Sequence, residues 1–233
     1  VGNRLFVSDL NGKSKGYLSI DSLVAGMEPF SPLSSLEKEN RPSMIELQHD
    51  VFVQQTADGD ENYFNARIYG REKKFGVYPV KDVREHLGMT LVYDSISGML
   101  ACSSFHIPYL ALYQKENDNF KLCWEKEADT GYEVSRGRIV PDARIGGIFG
   151  LSICKDYIVS LHRDWENEPL DAPIRGRDER LLPHLVYLYD YDSSLVKVVD
   201  LGMPVVRIAS DTRTNTLYAL VLNPDYMLVK YEL

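Results

Sequence analysis

The amino-acid sequence predicts an all-β fold, a β-propeller of four-stranded antiparallel blades, and three observations carry that expectation. The apolar runs are short, rich in Val, Ile, Leu and Tyr, and bounded by turn residues, which is the pattern of strands. A unit of three or four such runs recurs along the chain. Several runs, such as 217–222 and 186–189, are apolar at successive positions, so both faces of their sheets need cover, as radially packed blades provide.

The repeat is plainest near the end, where 205–210, a turn at 211–215, 216–221 and 226–231 read as strands a, b and c of one unit. Upstream, 147–153, 157–161, 185–189 and 195–199 make a complete four-strand unit, and 90–94, 98–103, 109–113 and 120–124 make another. A weaker copy has 44–48, 51–54, 63–69 and 75–78. The runs 4–8 and 16–20 read as strands b and c of a fifth unit whose first strand precedes residue 1. Five blades are thus visible in one domain, 1–233, and a strand N-terminal to Val1 is expected to close the ring, so that no sheet edge stays open.

Charge and composition exclude several functions. The 26 Lys and Arg against 34 Asp and Glu give a net charge of −8 with no basic block, which argues against a nucleic-acid partner. No run approaches the roughly 18 apolar residues needed to span a bilayer. The three cysteines, Cys102, Cys123 and Cys154, lack metal-ligand spacing and read as buried or incidental thiols, with a Cys102–Cys123 bridge open as an alternative.

Three segments carry a family resemblance: Asp211-Thr-Arg-Thr-Asn-Thr-Leu-Tyr-Ala-Leu220, Asp225-Tyr-Met-Leu-Val-Lys-Tyr-Glu-Leu233 and Leu188-Tyr-Asp-Tyr-Asp-Ser-Ser-Leu-Val196. With them the chain resembles the TolB-like six-bladed propellers, exported proteins that are often lipoproteins and whose biochemical role is largely undefined. The resemblance implies six blades, a periplasmic or surface-exposed place in the cell envelope, and membrane attachment only through a lipid anchor outside this chain. It transfers no catalytic signature and no cofactor.

In a four-stranded blade the a–b and c–d turns share one rim, and the b–c and blade-to-blade connections share the other. Every long connection, 23–42, 80–89, 127–145 and 163–183, falls on the second rim, and connections of that length are commonly functional. A protein, peptide or glycan ligand is therefore expected there. Arg138, Arg144, Trp165 and Arg175 are the candidate binding residues, because an Arg fork grips carboxylate or phosphate and Trp stacks on a sugar or ring.

Enzymatic signatures are thin. His86, His106, His162 and His184 fall on the long-loop rim and would be the raw material of the alternative reading, a metal-dependent hydrolase or lactonase, although no third-ligand spacing accompanies them. Asp58-Gly-Asp-Glu-Asn62 starts like a calcium loop but has Tyr63 and Tyr69 where that loop needs Gly and Glu, so a polar hairpin tip is expected. Gly150-Leu-Ser152 is half of a nucleophile elbow, with Ser152 inside a strand.

Overall fold

The computed structural model describes residues 3–8, 15–32, 44–56, 59–81, 83, 85, 87–127, 131–142, 146–164 and 182–233. The chain divides into two compact units, Val1–Tyr78 and Pro79–Leu233. Among the described residues it forms five antiparallel sheets of three or four consecutive strands, the blade pattern, plus one isolated hairpin.

The first unit holds two blades. Blade 1 consists of β1 (Arg4–Ser8), β2 (Lys15–Ser19) and β3 (Phe30–Pro32), with a one-turn helix α1 (Ile20–Val24) between β2 and β3. Ser19 starts that turn by accepting the Ser22 amide at 3.2 Å. Blade 2 consists of β4 (Met44–Gln48), β5 (Val51–Gln55), β6 (Phe64–Ile68) and β7 (Arg71–Phe75). Phe6 of β1 packs edge-on against Phe52, 5.5 Å between ring centres, and β1 lies beside β4. In the second unit it is likewise the first strands of successive blades that meet, so β1 is a first strand. The expectation that residues 4–8 form a second strand is corrected by this contact.

The fourth strand of blade 2 is also corrected: it is Arg71–Phe75, where 75–78 was expected. Tyr69 and Gly70, at φ 47° and 81°, make the two-residue turn that pairs Ile68 with Arg71 and so fixes the register. The strand Arg-Glu-Lys-Lys-Phe is exposed except for Phe75, so it has no apolar run to announce it.

The second unit holds three blades. Blade 3 runs β8 (Met89–Asp94), β9 (Met99–Ser104), β10 (Leu110–Glu116) and β11 (Asn119–Lys126). The hairpin β12 (Tyr132–Ser135) and β13 (Arg138–Pro141) follows it. Blade 4 runs β14 (Gly150–Ile153), β15 (Ile158–His162), β16 (Leu185–Tyr189) and β17 (Leu195–Asp200), and blade 5 has β18 (Val205–Ser210), β19 (Thr216–Leu222) and β20 (Tyr226–Glu232). The ends of these strands fall within three residues of the expected ones. The terminal strand pairs with its neighbour from Tyr226 opposite Leu222 to Glu232 opposite Thr216, as expected.

Blade 4 is covered on both faces, and its first strand β14 lies between β8 and β18. One core joins Ala101, Leu110 and Leu112 of blade 3 to Leu151, Ile153 and Ile158 of blade 4. The other joins Val159, Leu161, Val186 and Leu188 of blade 4 to Val205, Leu217, Ala219 and Val221 of blade 5. Each buried Leu, Ile or Val contributes about 1.5–3 kcal/mol relative to exposure.

Polar groups lock the short-turn rim. Asp94 accepts the amides of Ile96 and Ser97 and the Ser97 hydroxyl, an Asp turn that recurs at Asp190 and Asp211. Burial works to raise the Asp94 carboxyl, but these hydrogen bonds, with one from Thr212, outweigh it and hold the group below its ordinary value. Between blades 4 and 5, Lys155 donates its amide to the Thr214 carbonyl at 2.9 Å, and the Asn215 side chain pairs with Asp156. Ser152 lies on β14 and pairs with Ser210 of β18, so the half elbow is an inter-blade hydrogen bond.

The cysteines are all thiols. Cys102 sits on β9 and Cys123 on β11, with β10 between them, so the alternative bridge is not made. The expected polar hairpin tip is present: Asp60 accepts the Asn62 amide and pairs with Lys74 at 2.6 Å.

Candidate functional site

The strand order of the second unit sorts its connections. The b–c connections 105–109, 163–184 and 223–225, and the blade-to-blade connections 127–149 and 201–204, leave from the same ends of their sheets. The two long loops expected to bind thus start and finish on one rim of this unit.

That rim is built by backbone hydrogen bonds between loops. Phe105 donates its amide to Gly88 at 2.8 Å, and the Gly147 and Ile148 amides donate to Phe105 and Ser104 at 3.1 and 2.8 Å. The Ser104 hydroxyl accepts the amides of His106 and Ile107, which turns the chain sharply after β9. Gly147 approaches so closely that a Cβ there would stand 2.4 Å from the Ser104 carbonyl oxygen. Three segments, near 88, 104–107 and 146–149, are joined at this point.

What they hold out is aromatic. Phe105 is 50% exposed, packs edge-on against Phe149 at 5.1 Å, and has the His106 ring 5.9 Å away. Gly88 donates its amide to His106 Nδ1 at 3.0 Å, so the neutral ring carries its proton on Nε2, the nitrogen left to face solvent. The sequence reading did not single out Phe105, Phe149 or Gly147. The pair Gly146-Gly147, standing directly before a strand, was the available signal of a close backbone approach.

Beside this cluster stands the hairpin β12–β13, which lies in the connection 127–145 expected to be a loop. Arg136 and Gly137, at φ 54° and 74°, form its two-residue turn, and Glu85 accepts the Ile139 amide at 2.7 Å. Ile139 is buried, whereas Val134, Val140, Arg136 and Arg138 are exposed. Arg138 therefore opens β13 with its guanidinium in solvent. Of the other expected binding residues, Arg144, Trp165 and Arg175 lie outside the described residues, as does His86.

The three described histidines of that group, His106, His162 and His184, each have a different partner. His106 is engaged by Gly88 as above. His162 ends β15 with its ring stacked on Tyr187 at 4.2 Å, and its Nε2 pairs with the Ser160 hydroxyl at 2.8 Å. Burial pushes its pKa down to about 4, which keeps the ring neutral. His184 Nδ1 donates to Asp200 at 2.8 Å. Asp200 is held below its ordinary value, first by the Gly202 amide and then by His184. Among the described residues no group of three or more His, Cys, Asp or Glu is placed to hold a metal ion.

No family model matches the chain, and no curated protein matches it. Solved structures do. The β-propeller domain of Cps50 (Swd1) from Myceliophteria thermophila is similar at 11% identity and a TM-score of 0.56, over 100% of this chain and 67% of that one. A chain of a nidogen/laminin complex is similar at 10% identity and a TM-score of 0.52, over 100% and 77%. A member of the DUF4221 family from Bacteroides vulgatus is similar at 10% identity and a TM-score of 0.52, over 99% and 76%. At such identities the likeness shows the fold, a β-propeller, and this chain spans about two thirds to three quarters of the length of each.

Proposed function

We propose that this propeller is an exported binding module that engages a protein through the long-loop rim of its second unit. The reading rests on Phe105: a large apolar ring, half exposed, yet fixed by backbone hydrogen bonds on both sides. Such a ring loses little conformational freedom on binding and makes a strong anchor. Arg138 and the exposed valines of the hairpin extend the surface with the polar and apolar groups that interfaces combine. The nidogen/laminin neighbour comes from a protein complex, which agrees with a propeller used for protein recognition. The likeness of residues 188–196, 211–220 and 225–233 to the TolB-like propellers is what supports the export and cell-envelope part of this reading.

The test is capture followed by quantitative rebinding. Proteins retained by the immobilised chain from an envelope fraction are identified, purified and titrated against Phe105→Ala, Arg138→Glu and the outer-strand control Val196→Lys. Phe105→Ala is expected to weaken binding at least tenfold, about 1.4 kcal/mol or more. Unchanged affinity for Phe105→Ala alongside a loss for Val196→Lys would move the binding surface to the blade edge and end this proposal.

A further inference from the structure

The hairpin β12–β13 has two long edges, and they are not alike. Its register pairs Tyr132 with Pro141, Glu133 with Val140, Val134 with Ile139 and Ser135 with Arg138. Just beyond the strands the Asp142 amide donates to the Gly131 carbonyl at 2.8 Å. Bonded and non-bonded pairs alternate in an antiparallel ladder, so 133/140 and 135/138 exchange hydrogen bonds, whereas residues 132, 134, 139 and 141 turn their backbone groups outward. On the β13 edge the outward donors are closed off: Glu85 accepts the Ile139 amide at 2.7 Å, and Pro141 has no amide to offer. On the β12 edge the amides and carbonyls of Tyr132 and Val134 have no partner among the described residues. The side chains repeat the asymmetry. Val134 shares a face with Ile139, yet Ile139 is 8% exposed and Val134 53%, so the apolar cover under the hairpin stops at β12.

We infer that β12 is a strand-addition site, where an extended segment of a partner protein pairs antiparallel along Tyr132–Ser135 and turns the hairpin into a three-stranded sheet. The inference rests on the reading of this rim as a protein-binding surface and names how the partner is held. Only another extended backbone offers each alternate residue of an open edge both an acceptor and a donor. The β12 side chains then specify the segment. Residues paired with Tyr132 and Val134 fall on the face of Ile139 and continue its apolar cover. The residue between them stands beside the exposed Glu133, which selects Lys or Arg. The residue beside Ser135 looks across that short side chain to Arg138 on the next strand, which selects an acid. Read antiparallel to β12, the segment is acid, apolar, base, apolar, as in Glu-Val-Lys-Val.

The probe is a synthetic peptide of about ten residues centred on Glu-Val-Lys-Val, titrated to about 1 mM into the isotopically labelled chain while its amide resonances are followed. The Tyr132 and Val134 amides are expected to shift saturably and to exchange with solvent several-fold more slowly. Val134→Pro removes an outward amide and no ladder bond, so the hairpin stays and peptide affinity is expected to fall at least tenfold. A peptide methylated on both valine nitrogens keeps every side chain, cannot donate to the edge and is expected to leave the chain unchanged, a reading that needs no protein variant. The amides of Leu195–Asp200 on the exposed outer strand β17 are expected not to respond. No shift at residues 132 and 134, a shift that survives valine methylation or Val134→Pro, or an equal response along β17 overturns the inference. The titration uses the peptide alone and the Phe105→Ala test uses the captured partner, so the two readings fail separately.

Discussion

Replacing Gly147 by Ala is expected to destabilise the second unit by on the order of 3 kcal/mol, far more than a surface glycine substitution normally costs. The added methyl would stand 2.4 Å from the Ser104 carbonyl oxygen and 2.5 Å from the carbonyl carbon and oxygen of Phe105. These are backbone atoms of a turn fixed by the Ser104 hydroxyl, so no rotamer change relieves the clash. The chain must move apart, which lengthens the bonds from Gly147 and Ile148 to residues 104 and 105. Gly137→Ala separates this effect from glycine loss in general. A Cβ at 137 meets nothing within 4 Å, and its φ of +74° costs about 1–2 kcal/mol. Urea unfolding of the two variants checks the difference. A Gly147→Ala variant no less stable than Gly137→Ala would mean that the loops at 104 and 147 are not held together as described.

Stability is expected to fall by about 3 kcal/mol on acidification from pH 6.5 to pH 4, and His162 is the cause. Burial holds its folded pKa near 4 against an ordinary 6.5. The unfolded chain therefore takes up a proton through this window while the folded chain does not. The stabilisation is fully present above pH 6.5 and is lost progressively as the pH falls to 4. No carboxylate offsets the effect, since desolvation is the single cause of the shift. His162→Phe keeps a ring stacked on Tyr187 and removes the titration, at the cost of leaving the Ser160 hydroxyl without its partner ring nitrogen. Its stability should change less between pH 6.5 and 4 than the wild type's, whatever its value at neutral pH. Parallel pH profiles for the two proteins would show that His162 is not kept neutral by the fold.

The sequence was most legible where strands are buried. Strands β8–β11 and β14–β20 were located because inner strands such as Leu110–Tyr113 and Leu217–Leu222 put apolar residues at successive positions. Where an outer strand carries charge in place of apolar residues the signal fades: Arg71–Phe75 is Arg-Glu-Lys-Lys-Phe, and its place was assigned to 75–78, whereas the equally exposed Leu195–Asp200 was found through its Leu and Val residues. The hairpin β12–β13 was read as loop for the same reason, with only Ile139 buried among its eight residues. The phase of the first blade was misread because a first strand and a second strand look alike in sequence, and only the contact of β1 with β4 tells them apart.

The rim that carries the long connections was legible in outline and not in detail. In the second unit those connections do leave from the same ends of their sheets, and Arg138 is solvent-exposed on the hairpin. Phe105 escaped notice because a Phe at a strand end reads as the last core residue. Its exposure is decided by where residues 88 and 147 bring their backbones, which are remote in sequence. Of the four histidines grouped on one rim, His86 lies outside the described residues, and for His106, His162 and His184 the grouping was silent about their partners, which differ for each.

Trp124 makes the seam between blades 3 and 4 optically accessible. Its indole Nε1 donates to the Tyr191 carbonyl at 2.9 Å, and the Tyr191 hydroxyl donates in turn to the Cys154 carbonyl at 2.9 Å. The chain has two tryptophans, and the other is Trp165. In a Trp165→Phe background all indole emission would originate at this one seam. Opening of the two blades would then appear as a red shift, while unfolding confined to the first unit would pass unseen. Tryptophan fluorescence and far-ultraviolet dichroism need not share a midpoint in this protein, and a gap between them would measure how far its two compact units unfold independently.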